Sequence, residues 1–201
     1  MIADIEEAII AHLKAAATPV ALGYTVREIT SYGGEFDEDL FAQIRRFPAI
    51  WVTFAGGGKL IPYGLSKGKW IKPLTFVTMV GARNIRGERQ TRQGVRVGGT
   101  LIEPGAYQML DDVEVALANQ DFGLAIDRLV PGAVKTLYNS RLNKESIAVF
   151  AQEWHTKIVL DLSTPPPIDA SNPDWLRLGI NYHLTPDDGK ADASDLLTLK
   201  P

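Results

Sequence analysis

The first hydrophobic pattern along the chain is that of an amphipathic helix. Its apolar residues recur at intervals of three and four, which places them on one helical face: Ile2, Ile5, Ile9 and Leu13. Charged residues occupy other positions of the helical wheel, and Thr18-Pro19 interrupts the pattern. The spacing therefore predicts a helix over residues 2–16.

Two further segments have the pattern of helices. Pro104 opens one that continues to about Asn119, since proline suits a first helical position. Its apolar stripe consists of Ala106, Met109, Leu110, Val113 and Leu117. Residues 37–46 begin with three acids and end with two arginines, an order that the helix dipole favours. These residues are predicted to form a short helix.

Strand patterns occur along the rest of the chain. Runs rich in β-branched, aromatic or alternating apolar residues predict strands over 23–31, 49–54, 70–82, 148–162 and 176–184. The last of these alternates strictly between apolar and polar positions, as a half-buried strand does. Mixed helices and strands of this kind predict an α+β protein with a mixed, mostly antiparallel sheet flanked by two or three helices.

Segments without a hydrophobic period indicate how the chain is divided into a domain, a loop and a tail. Residues 83–99 contain five arginines and four glycines and predict a mobile loop or an extended arm. After Pro186 the chain becomes polar and acidic, which predicts a flexible tail over 186–201. The remaining residues, 1–185, are predicted to form a single domain, at an ordinary length for one.

The composition excludes several classes of protein. There are no cysteines, which excludes disulfide frameworks and cysteine-based zinc sites. No run approaches the roughly 18 apolar residues of a transmembrane helix. The first ten residues contain three acids and no base, opposite to the basic start of a signal peptide. We therefore expect a soluble protein.

Charge is distributed very unevenly along the chain. Residues 59–96 contain nine lysines and arginines and one acid, a net charge of +8. Because the whole chain carries −3, the remainder carries −11. Three interpretations remain open: a solvated segment balanced by acids of the same fold, a surface that meets an acidic partner, or a phosphate-binding surface. No aromatic residue lies among the arginines to stack on bases, which disfavours the last.

One short motif resembles a hydrolase signature. Gly64-Leu65-Ser66-Lys67-Gly68 matches the G-x-S-x-G pattern, which places a nucleophilic serine on a turn between a strand and a helix. Here the following residues read as a strand, so a flexible loop is the favoured interpretation. A serine hydrolase using Ser66 with His155 or His183 stays open as an alternative.

The three histidines do not form a ligand motif. His12 lies on the first helix, whereas His155 and His183 occupy polar positions of predicted strands. No H-E-x-x-H or other metal-ligand spacing is present. The sequence therefore predicts no metal site, no cofactor and no catalytic residues.

Several segments in a fixed order resemble one known family. They are MIADIEEAIIAHLKA, ITSYGGEFDEDL, RRFPAIWVTFAGGG, VGARNIRGERQTR and EPGAYQMLDDVEVALAN. This order, over roughly residues 1–160, is similar to the tail terminator family of Mu-like phages and prophages. The C-terminal strands and the final fifteen residues do not contribute to the likeness.

The resemblance implies a structural role in virion assembly. Tail terminators cap the head-proximal end of a phage tail, commonly as a hexameric ring, and stop polymerisation of tube and sheath. The implied partners are further copies of the chain, a tube protein, a sheath protein and a head–tail connector, with no membrane and no specific nucleic acid. The implied location is the virion tail, assembled in the host cytoplasm.

The basic segment is the candidate interface of such a ring. A ring joins two different patches of neighbouring subunits, and opposite charges suit such a contact. The candidate interface residues are Lys67, Lys69, Arg83, Arg86, Arg89, Arg92 and Arg96. Besides the hydrolase, two further functions stay open: a head–tail joining or completion protein, and a nucleic-acid-binding module that uses the bases of residues 59–96.

Overall fold

The computed structural model describes residues 1–33, 46–65, 68–142, 145–163, 177–182 and 193–198. By its internal contacts the chain divides into two compact units, Met1–Leu160 and Asp161–Pro201. The predicted division into a domain over 1–185 and a tail over 186–201 stays a prediction.

Four helices occur in the described ranges. They are α1 (Ile2–Ala16), α2 (Pro19–Leu22), α3 (Glu88–Gln93) and α4 (Ala106–Leu117). The apolar stripes that predict α1 and α4 are the faces that these helices bury, so both helices are confirmed. The predicted start of α4 is wrong, because Gly105 is the N-cap and Pro104 precedes the helix. The predicted helix over 37–46 lies almost entirely outside the described residues.

Ten strands complete the described structure. They are β1 (Glu28–Ser31), β2 (Ala49–Gly57), β3 (Ile61–Pro62), β4 (Lys69–Asn84), β5 (Val95–Val97), β6 (Thr100–Glu103), β7 (Val130–Leu142), β8 (Glu145–Asp161), β9 (Arg177–Tyr182) and β10 (Ala193–Thr198). The predicted strands over 49–54, 70–82, 148–162 and 176–184 correspond to β2, β4, β8 and β9. The first predicted strand is shorter than expected, because only residues 28–31 pair with β2.

Six strands form the main sheet. Their order is β1-β2-β4-β8-β7, and β3 pairs with β4 beside this path. Strand β1 runs parallel to β2, whereas β2, β3 and β7 pair antiparallel with β4 or β8. Strands β5 and β6 form a separate hairpin, and the second unit contains the antiparallel pair β9 and β10. The predicted α+β class with a mixed, mostly antiparallel sheet is confirmed.

The central strands of the main sheet are buried on both faces. Helices α1 and α4 cover one face, where the large side chains include Ile9, Phe76, Met109 and Trp154. A second cluster lies on the opposite face of the same strands: Phe47, Ala49, Trp51, Met79, Ile147, Val149 and Ala151. A strand that is buried on both sides reads as a continuous apolar run, which explains the segment AIWV at the start of β2.

The predicted loop or arm over 83–99 is regular structure instead. It contains the end of β4, helix α3 and strand β5. Helix α3 is held by one buried polar residue rather than by an apolar stripe, because the hydroxyl of Thr91 donates to the carbonyls of Gly87 and Ser146. A six-residue helix anchored in this way produces no hydrophobic period, which is why the sequence predicted no helix here.

Strands β3, β6, β7 and β10 also escaped prediction, and the last two show why. Strand β7 begins with Val130-Pro131-Gly132, a sequence that is typical of a turn, and its register with β8 shifts after Pro131. Strand β10 lies within the segment 186–201 and pairs with β9 over six residues. In both cases pairing with a partner strand, which local sequence does not encode, defines the element.

Candidate assembly interface

A cluster of arginines surrounds helix α3. Arg86 lies in the turn that follows β4, Arg89 and Arg92 lie on α3, and Arg96 lies on β5. Together with the exposed Ile85 we call them the basic surface. The structure thus brings together four of the seven residues predicted for the interface.

Of the remaining predicted residues, Lys69 lies apart from the basic surface, whereas Arg83 lies next to it, in the wall of one cavity with Ile85. Lys69 starts β4 and Arg83 lies near its end, fourteen residues further on. At the usual rise of a strand this separation is about 45 Å, so the two cations do not belong to one cluster. Lys67 lies outside the described residues.

Backbone packing fixes the position of the basic surface. Gly94 ends α3 with a φ of +77°, and Gly105 is the N-cap of α4. A Cβ atom built on Gly105 would lie 2.2 Å from the amide nitrogen of Gly94 and 2.4 Å from the carbonyl oxygen of Arg92. The end of α3 therefore contacts the start of α4 at a distance that glycine permits and a side chain does not.

Among the four arginines of the basic surface, Arg92 has an acidic partner. Arg92 lies 3.5 Å from Glu88 and also donates to the hydroxyl of Tyr107. Arg89 donates to the side-chain oxygen of Gln93, an uncharged group.

Arg96 and Arg86 likewise have no acidic partner among the described residues. Arg96 donates to the uncharged side chain of Gln108. Within the described ranges the guanidinium of Arg86 has no hydrogen bond or ion pair, although its backbone amide donates to Asn84. Arg86, Arg89 and Arg96 therefore present three positive charges that no described acid balances.

A cavity of about 260 Å³ adjoins the basic surface. Its walls include Arg27, Arg83 and Glu103 together with the exposed Ile85. The buried Asn84 closes one side, where its amide donates to the carboxylate of Glu103. The cavity has mixed charge, with two guanidinium groups and one carboxylate, and it is an extension of the basic surface.

Helix α4 presents the opposite charge. It has three carboxylates, Asp111, Asp112 and Glu114, and no lysine or arginine. Asp112 accepts hydrogen bonds from the hydroxyl of Tyr24 at 2.7 Å and from the side-chain amide of Gln108 at 3.0 Å. Burial, followed by this contact with Asp112, raises the pKa of Tyr24 well above its usual range.

The other two carboxylates of α4 are exposed. Within the described part of the chain, the carboxylates of Asp111 and Glu114 have no hydrogen-bonding or ion-pair partner. Val115 lies beside them with 84% of its surface exposed. Because positions 111, 114 and 115 share one side of a helix, we call this group the acidic face of α4.

The two described histidines, His12 and His155, contact other groups of the protein. His12 contacts the carbonyl oxygen of Ala116 at 3.0 Å through Nε2. His155 contacts the hydroxyl of Thr75 at 3.1 Å and lies 3.9 Å from Glu153. A hydrogen bond from Lys135 is the main cause that lowers the pKa of Glu153.

The described residues do not assemble a serine hydrolase site. His155 lies on the main sheet with Thr75, while Ser66 and His183 lie outside the described residues. Among the residues that the structure describes, no group of three or more histidines and acids is arranged to hold a metal ion. No described helix is long and apolar enough to cross a membrane.

The fold and these surfaces define an α+β protein. The central strands of its sheet are buried on both faces, and its surface has a basic region around α3 and an acidic face on α4. The model of the family described as bacteriophage Mu, Gp37 matches residues 1–159. The chain belongs to this family of Mu-like phages, which confirms the resemblance found in the sequence. No curated protein matches the chain.

Family membership establishes the general role of the protein. It indicates a phage structural protein associated with the virion and suggests a non-enzymatic role. The matched region ends within β8, so it contains the main sheet up to that point, all four described helices and the basic surface.

Proposed function

We propose that the protein is a tail terminator, which caps the head-proximal end of a contractile phage tail. The observation that carries the proposal is the match to the Mu Gp37 family over residues 1–159. The oppositely charged surfaces of the described structure support it, since a capping ring needs two complementary patches on each subunit.

The mechanism of this proposal is steric and electrostatic. Subunits close into a hexameric ring on the last layer of tube and sheath and occupy the surfaces on which a further layer would dock. The exposed side of the ring then receives the head–tail connector. Tube, sheath, connector and neighbouring subunits are therefore the proposed partners, and the head-proximal end of the tail is the proposed location.

Deletion of the gene in its phage tests the proposal. We expect tails of abnormal length without heads in the deletion mutant, measured by electron microscopy of negatively stained lysates. Wild-type protein supplied in trans is the control and is expected to restore a narrow distribution of lengths. Tails of normal length that fail to join heads would refute termination and indicate the joining role instead.

Two simple assays distinguish a tail terminator from a serine hydrolase and from a nucleic-acid-binding module. In the same complementation, Ser66→Ala is expected to restore tail length as well as the wild type, whereas a serine hydrolase would lose its function. Binding of the purified protein to DNA at about 0.15 M salt is expected to be negligible. Tight binding under these conditions would indicate a nucleic-acid module.

A further inference from the structure

We propose that the basic surface binds the acidic face of α4 on a second copy of the chain. The basic surface supplies Arg86, Arg89 and Arg96, and the acidic face supplies Asp111 and Glu114. The contact joins copies head to tail. That such copies close into a ring rests on the proposed function, whereas the contact between the two surfaces does not.

The charges of the two surfaces are complementary, and no described acid or base of the same subunit pairs with them. Arg89 and Arg96 bond to uncharged amides, and the guanidinium of Arg86 has no partner in the described ranges. Asp111 and Glu114 have none there either. Complementary exposed charges of this kind orient two surfaces as they meet and disfavour contacts between like surfaces.

Each surface also has an exposed apolar residue beside its charges. Ile85 is 71% exposed on the basic surface, and Val115 is 84% exposed on the acidic face. An apolar centre with a charged rim is the usual anatomy of a protein interface. The cavity next to Ile85, about 260 Å³ in volume, offers a concave position for a partner side chain.

The two surfaces are different patches of one subunit, which allows copies to join head to tail. Arg92 and Arg96 reach the first turn of α4 at Tyr107 and Gln108, whereas the acidic face lies in the later turns. A head-to-tail contact leaves one patch of each kind free on the growing assembly. It therefore propagates from copy to copy until the assembly closes.

Cysteine cross-linking tests the contact directly, because the natural chain has no cysteine. The variant Ile85→Cys/Val115→Cys is treated with a short bismaleimide, both as purified full-length protein and in assembled particles. We expect a ladder of covalent oligomers on a denaturing gel in at least one of these settings. A mixture of the two single variants is expected to give covalent dimers and nothing larger.

A matched control uses another exposed apolar residue. Leu65 is fully exposed and lies between β3 and β4, so Leu65→Cys/Val115→Cys is expected to give no ladder. A ladder no stronger for Ile85→Cys/Val115→Cys than for this control, in both settings, would overturn the proposal. Dimers formed by Ile85→Cys alone would overturn the head-to-tail arrangement.

Charge reversal provides an independent measurement. Arg86→Glu/Arg89→Glu and Asp111→Lys/Glu114→Lys are each expected to weaken association by about tenfold, as the loss of two surface ion pairs implies. A mixture of the two variants is expected to recover association, because each supplies the surface that the other needs. Weakening without recovery in the mixture would overturn the pairing of these two surfaces.

These results are separable from the proposed function. Cross-linked ladders in a phage whose deletion mutant has tails of normal length would keep the contact and refute termination. Overlong tails in the deletion mutant without the Ile85–Val115 ladder would keep termination and refute the contact.

Discussion

The hydrogen bond between Trp154 and Thr78 connects two central strands of the main sheet. The indole nitrogen of Trp154, on β8, donates to the hydroxyl of Thr78, on β4, at 2.9 Å. Both side chains are fully buried on the face that α1 and α4 cover. Thr78→Val replaces the acceptor with a methyl group of similar size and leaves the indole N–H without this partner.

The expected cost follows from the desolvation of that N–H. A buried donor without an acceptor costs about 1–3 kcal/mol, so we expect Thr78→Val to lower the free energy of unfolding by about 2 kcal/mol. For a chain of this length the melting temperature is expected to fall by about 4–8 °C. Thr78→Ser keeps the hydroxyl and loses one methyl group, which costs about 1 kcal/mol.

A double-mutant cycle provides the measurement. Thr78→Val, Trp154→Phe and their combination are unfolded with urea and followed by circular dichroism at one fixed protein concentration, since self-association shifts apparent stability. Trp154→Phe is expected to cost less in the valine background, because the indole N–H is then already unpaired. Strict additivity, or a valine variant more stable than the serine variant, would refute the reasoning.

Two further predictions concern other buried contacts. Gly105→Ala is expected to lower the free energy of unfolding by about 1–3 kcal/mol, because the added Cβ overlaps backbone atoms of Arg92 and Gly94. It is also expected to remove the hydrogen-exchange protection of α3, and unchanged protection would contradict this packing. Tyr24 has a raised pKa, so its contribution to stability is complete below the ordinary tyrosine pKa of about 10 and is lost as the pH rises above it. An alkaline absorbance titration is expected to show one tyrosine ionising late, and its persistence in Tyr24→Phe would disprove the assignment.

The elements that the sequence predicted correctly are those with a local period. Helices α1 and α4 repeat apolar residues on one face, and the start of β2 is a continuous apolar run because both of its faces are buried. The family was also evident from the order of short segments in the first 160 residues. These features depend on residues that are close in the chain, so the sequence alone determines them.

The polar positions inside the core depend on tertiary contacts. Gln152 and Thr156 interrupt the apolar alternation of β8 in the sequence, yet both are buried. Thr156 donates its hydroxyl to the carbonyl of Asp127, a residue far from it in the chain. Because the buried hydroxyl of Thr156 needs such a partner, its position follows from the fold and not from the local pattern.

The candidate interface shows the same division. The sequence determined that one segment carries most of the positive charge, because charge is a property of composition. The tertiary structure decided which of these charges lie together. Lys69 and Arg83 are separated along β4. The hydrogen bond of Thr91 and the close contact of Gly94 with Gly105 hold α3 in place, and with it Arg86, Arg89 and Arg96. Long-range packing fixes the direction of each strand and helix, and no local spacing encodes it.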